Sequence, residues 1–123
     1  MAKANNLQPL WDQLVGDDLS GITFVRDYLQ LQFNSPPFIN ATSRKITVTR
    51  EGRSANFGED AFANLVIGLI GGVVSKVALE EAHAFEILFE GGAKIEISLR
   101  PEDYPKCGEA LLFQGRERQW AVI

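Results

Sequence analysis

The chain is cut repeatedly by turn-forming residues, and this punctuation constrains its fold more than any other feature. From residue 21 onward the apolar runs are short, rich in β-branched and aromatic residues, and most end at a turn. The clearest case is Glu90-Gly91-Gly92, which joins the runs 84–89 and 93–99. Paired glycines accept the positive φ angles that a tight hairpin turn demands. The two runs then lie antiparallel. Ile87 and Phe89 are expected across from Ile95 and Ile97 or their neighbours, with Glu86, Glu90, Lys94 and Glu96 outward.

The same reasoning extends along the chain. Residues 22–25 are apolar, and residues 28–33 alternate, with Leu29, Leu31 and Phe33 on one face and Tyr28, Gln30 and Gln32 on the other. Arg26-Asp27 between them is either a tight turn or a bulge. Asn34-Ser35-Pro36-Pro37 marks a turn, and 38–41 and 46–48 are two further short strands. Residues 51–58 are expected to be a polar loop. Residues 110–113 and 120–123 form a last hairpin.

Two segments carry the helical period instead. Leu7, Leu10, Trp11 and Leu14, with Pro9 near the start and Gly16 after the end, predict a short amphipathic helix that lays Trp11 on the core. Phe62, Leu65, Val66, Leu69 and Ile70 predict a second, starting near Glu59 and stopping at Gly71 or Gly72. Gly68 within it is expected to allow close helix–sheet packing. The order is helix, strands, helix, strands, with no βαβ alternation. The expected fold is α+β, a mainly antiparallel sheet with one or two helices packed on one face. Residues 1–6 read as a disordered tail and 7–123 as a single domain.

Composition narrows the partners. Sixteen acids against 12 bases give a net charge of −4. The basic groups Arg44, Lys45, Arg50 and Arg53, then Arg116 and Arg118, are short sets broken by Glu51 and Glu117, so they read as solvated turn residues. No nucleic-acid partner is expected. The most apolar stretch, 61–74, falls short of a membrane span of about 20 residues, so no membrane is expected either. The polar start lacks the apolar core of a signal peptide, and the one cysteine, Cys107, permits no intrachain disulfide. A cytoplasmic location is the expectation.

Catalytic and metal chemistry find little support. His83 is the only histidine, and Cys107 has no neighbour at ligand spacing. The acids Glu80, Glu81, Glu86, Glu90 and Glu96 lack the closely spaced loop that wraps calcium, and strand alternation should disperse them. No cofactor loop is recognisable, so no cofactor and no metal are expected. Two segments combine a cation, carboxylates and a phenol: Arg26-Asp27-Tyr28, and Ser98-Leu99-Arg100-Pro101-Glu102-Asp103-Tyr104. Arg100, Glu102, Asp103, Tyr104, Arg26, Asp27 and Tyr28 are therefore the candidate binding residues. For the second segment a structural role competes. Pro101 suits the first position of a helical turn begun by Ser98 or Arg100, and the two acids complement its dipole.

Residues 24–33, Phe-Val-Arg-Asp-Tyr-Leu-Gln-Leu-Gln-Phe, and 98–104, Ser-Leu-Arg-Pro-Glu-Asp-Tyr, resemble segments of small bacterial single-domain proteins, some of them similar to immunity proteins that neutralise toxins of neighbouring cells. The resemblance implies a non-enzymatic protein acting through a surface, and an acidic chain would suit a basic toxin. Two alternatives stand beside it. One is a small-molecule pocket or an unrecognised enzyme, between the helix face and the sheet near Arg100, Glu102, Asp103 and Tyr104. The other is a structural homodimer subunit. A deep cleft favours the pocket; a flat acidic or aromatic face favours the binding protein.

Overall fold

The computed structural model describes residues 7–34, 37–106 and 108–123; the expected tail at 1–6, Ser35 and Pro36 of the expected turn, and Cys107 lie outside the described residues. In chain order the described elements are α1 (Gln8–Trp11), β1 (Leu19–Val25), β2 (Tyr28–Phe33), β3 (Phe38–Ala41), β4 (Ile46–Arg50) and β5 (Arg53–Asn56). Then come α2 (Asp60–Ile67), β6 (Val74–Glu80), β7 (Ala84–Phe89), β8 (Lys94–Ser98), β9 (Leu111–Gln114) and β10 (Trp120–Val122). Single 3₁₀ turns lie at Asp12–Leu14 and Pro101–Asp103.

The hairpins expected from the turn residues form, but they divide between two antiparallel sheets. The first runs β1-β2-β3-β9-β10 and the second β5-β4-β8-β7-β6. In the first, Val25 pairs with Tyr28, so Arg26-Asp27 is a tight turn; the irregularity falls between Leu19 and Gly21 instead. In the second, Ile87 faces Ile95 and Phe85 faces Ile97 across the Glu90-Gly91-Gly92 turn. Gly91 and Gly92 there have φ of +95° and +99°, which is why glycine is needed.

Period-two alternation places one face of each sheet inside. Leu29, Leu31, Phe33, Ile39, Ala41, Leu111 and Phe113 are buried from the first, and Val48, Val77, Phe85, Ile87, Ile95 and Ile97 from the second, in one continuous core. Trp11, fully buried, links the two layers, edge-on to Phe85 at 5.2 Å and to Phe113 at 5.1 Å. Such edge contacts are favoured by the ring quadrupole. Its indole N–H meets no acceptor among the described residues, a cost set against that ring packing.

Several expectations need correction. Residues 51–58 are not a loop. Glu51 and Gly52 take φ of +53° and +77°, the signature of a two-residue turn, and β5 pairs back onto β4 from Arg50–Arg53. α2 stops at Ile67, with Gly68 at its C-terminal cap. Looser turns carry the chain on to Gly71, so Leu69 is still buried while Ile70 is exposed. The close helix–sheet packing expected at Gly68 is present, with the Arg50 guanidinium from β4 lying where a Cβ would be. Arg116 is exposed in the β9–β10 turn, as expected, but it is also tied down. It donates to the Asp17 carboxylate at 2.5 Å and to the Gln13 carbonyl at 3.1 Å, clasping the N-terminal helical segment to the β9–β10 loop. Gln13 completes the clasp through side-chain bonds to Gln119 and to the Arg116 backbone.

Candidate functional site

The outer faces of the two sheets differ in charge. The second sheet turns Lys76, Glu80, Glu86, Lys94 and Glu96 outward, while Arg50 and Arg53 pair on the face of Val48 and Ala55, with the Arg50 guanidinium over Gly68 at the end of α2. Of the acids expected to disperse there, two meet. Glu86 and Glu96 are directly paired across β7 and β8. Lys94 bridges them, at 3.3 Å to Glu86 and 3.5 Å to Glu96. The hydrogen bond to Glu86 raises the Lys94 pKa above the ordinary lysine value, and the charges of both acids add to this against partial burial.

The first sheet has no charged residue in any of its five strands. Cross-strand pairing arranges its outward side chains in rows. One row is Gly21, Gln32, Phe38, Gln114 and Trp120, and the next is Thr23, Gln30, Asn40, Leu112 and Val122. Tyr28 and Val25 begin a third. Trp120 is 63% exposed and Val122 45%, large values for apolar groups on a sheet. The amides are ordered rather than loose. Gln32 donates to Gln30 at 3.0 Å, and Gln30 donates to Asn40 at 2.9 Å, leaving the Asn40 NH₂ without a partner among the described residues. Gln32 Oε1 rests over Gly21, where a Cβ would come within 2.7 Å of it.

Two hollows adjoin this face. Beside Trp120 a groove of about 610 Å³ is lined by Leu7, Pro9, Leu10, Gln13, Arg118 and Gln119. At the Tyr28 end a recess of about 160 Å³ lies between Tyr28, Asn40, Thr42, Glu109 and Leu112. The Thr42 hydroxyl is fixed there by donating to the Glu109 carbonyl at 2.6 Å.

The structure separates the sequence candidates. Arg26 and Asp27 are exposed at the tip of the β1–β2 hairpin, and Tyr28 faces outward on the uncharged sheet. Among the described residues no hydrogen bond or ion pair joins these three to the 100–104 segment. That segment is a corner. The Ser98 hydroxyl donates to the Asp103 carboxylate at 2.5 Å and accepts from the Arg100 N–H at 3.2 Å, and the Asp103 carbonyl accepts from the Arg44 N–H at 2.7 Å. Among the described residues the Arg100 side chain meets no acceptor of Glu102, Asp103 or the main chain; it contacts His83 Nδ1 at 3.3 Å. Glu102 is exposed, and Tyr104 packs against the core. A depression at Tyr104 is lined also by Glu81, Ala82, Leu99 and Pro101, with no residue of either helix.

Sequence reasoning found Tyr28 but missed its setting. Gln30 and Gln32 appeared only as a polar side, and Asn40, Leu112, Glu109 and Trp120 were not connected to it. The available signal was local, namely strand segments free of charge. What joins them is the pairing of β3 with β9, which brings residue 40 beside residue 112.

Among the described residues no group of three or more His, Cys, Asp or Glu is placed to hold a metal, and no helix is long and apolar enough to cross a membrane. No family model, curated protein or solved structure matches this chain.

Proposed function

We propose that this chain is a non-enzymatic binding protein that holds a protein partner against the outer face of its first sheet. The observation that carries the reading is the absence of charge from all five strands of that sheet, while the outer face of the second carries Lys76, Glu80, Glu86, Lys94 and Glu96. Interface centres are depleted of charge and enriched in aromatic residues, because buried charges lose hydration and aromatic rings bury large areas at little entropic cost. Trp120, Phe38 and Tyr28 supply the rings. Gln30, Gln32, Asn40 and Gln114 supply donors and acceptors that fix orientation without a desolvated charge.

Net charge enters at longer range. At −4 the chain attracts a basic partner before contact. An immunity-type role, masking a basic toxin in the cytoplasm of a bacterial cell, combines these two properties. It also accords with the resemblance of residues 24–33 and 98–104. A homodimer is the rival use of the same face, since amides both donate and accept and so are complementary to themselves across a two-fold axis.

Affinity capture from the source cells tests the reading. Gln30→Lys places a charge at the centre of the face, and Glu96→Lys is the control on the other sheet. Capture of a distinct protein by the wild type and the control, and its loss with Gln30→Lys at unchanged melting temperature, is the expected result. Capture unaffected by Gln30→Lys would overturn it. A concentration-dependent dimer abolished by Gln30→Lys would replace the partner with a second copy.

A further inference from the structure

The recess at the Tyr28 end of the uncharged face has a chemistry the rest of the face lacks, and it rests on the binding reading above. Glu109 is the one charged residue lining it, and its carboxylate has no ion-pair or hydrogen-bond partner among the described residues. Leu112 and Tyr28 contribute apolar surface to its lining, and Thr42, Asn40 and Tyr28 contribute residues with polar groups. A recess of about 160 Å³ is smaller than the several hundred Å³ typical of small-molecule sites. It has room for one long side chain.

We infer that the recess receives a basic side chain, arginine or lysine, projecting from the partner protein. The aliphatic stem lies between Leu112 and Tyr28, as long cationic side chains pack their methylenes on apolar surface. The cationic head meets Glu109 and gains from the Tyr28 ring. The Asn40 NH₂, left over at the end of the Gln32–Gln30–Asn40 relay, donates to the main-chain carbonyl of the same partner residue. One carboxylate at the border of an uncharged patch thus selects a partner with one matching cation, and a partner presenting an acid there is rejected.

Backbone NMR of the whole chain tests this with three blocked tripeptides, glycine–X–glycine, in which X is arginine, lysine or citrulline. Arginine or lysine should give saturable shifts at Tyr28, Asn40 and Leu112, with a dissociation constant on the order of millimolar, as suits a single exposed ion pair. Citrulline, which keeps the shape of arginine without the charge, should bind at least about fivefold more weakly, and Glu109→Gln should weaken arginine and lysine by a similar factor. Equal binding of citrulline, full retention in Glu109→Gln, or no localised shift at about 20 mM peptide would overturn the inference. Should it fail while Gln30→Lys still abolishes capture, the face remains the binding surface and only its basic anchor is lost.

Discussion

Lys94 sits between two carboxylates that would otherwise confront each other on adjacent strands. Like charges directly opposite are destabilising, so the lysine matters mainly through what its loss exposes. Lys94→Met should destabilise by about 0.5–1 kcal/mol, because the site is partly exposed. Adding Glu86→Gln should recover most of that in chemical denaturation; no recovery would show that the pair is not the cause. The raised Lys94 pKa means that the folded state holds its proton more tightly. This contribution is fully present below the ordinary lysine range and is lost as pH rises through the raised value. A melting series above pH 10 should therefore fall more steeply for the wild type than for Lys94→Met. A second residue-scale test lies in the β9–β10 turn, where Glu117 and Arg118 both have positive φ, +57° and +62°. Left-handed backbone costs a non-glycine residue about 1 kcal/mol or somewhat more. Arg118→Gly should accordingly raise stability by a few tenths to about 1 kcal/mol, and a lowered melting temperature would contradict the turn geometry.

At the scale of elements, local signals were legible and tertiary pairings were not. The alternation of Leu29, Leu31 and Phe33 and the Gly91-Gly92 turn located strands correctly, because period and positive φ are local properties. β5 was missed because Arg53-Ser54-Ala55-Asn56 has one small apolar residue, so its strand state comes from pairing with β4. Ile70 looked like part of the helical stripe, yet the helix ends before it and the period no longer holds. The division into two sheets was invisible, since nothing local says that β4 pairs with β8 while β3 pairs with β9. The 98–104 corner was half legible, Pro101 and the acids predicting a turn but not the Ser98–Asp103 bond that locks it. Ser98 is nearly buried and serves both Asp103 and Arg100. Ser98→Ala should cost about 1–3 kcal/mol, since it strands a part-buried carboxylate. A loss below a few tenths would demote the corner to an incidental contact. Trp11→Ala should cost about 3–5 kcal/mol, because the ring links both layers and leaves a large void.

On the scale of the whole molecule, two sheets that share a core have been given opposite surfaces. One is charged on its outer face, which favours hydration and discourages association. The other is uncharged, aromatic and bordered by a groove and a recess. An exposed face of that kind is normally a contact surface or an aggregation hazard, and the ordered amides together with the paired strands point to contact. Of the sequence candidates, Tyr28 belongs to this surface, while Arg100, Glu102, Asp103 and Tyr104 build or flank a corner apart from it. The central claim is that the first sheet's outer face is where a partner sits. Hydroxyl-radical footprinting of the captured complex against the free chain measures this most directly. The account predicts protection of Trp120, Phe38, Leu112 and Tyr28, with Leu88 and Lys76 on the second sheet unchanged. Protection of Leu88 and Lys76 with Trp120 and Phe38 still fully reactive would contradict it.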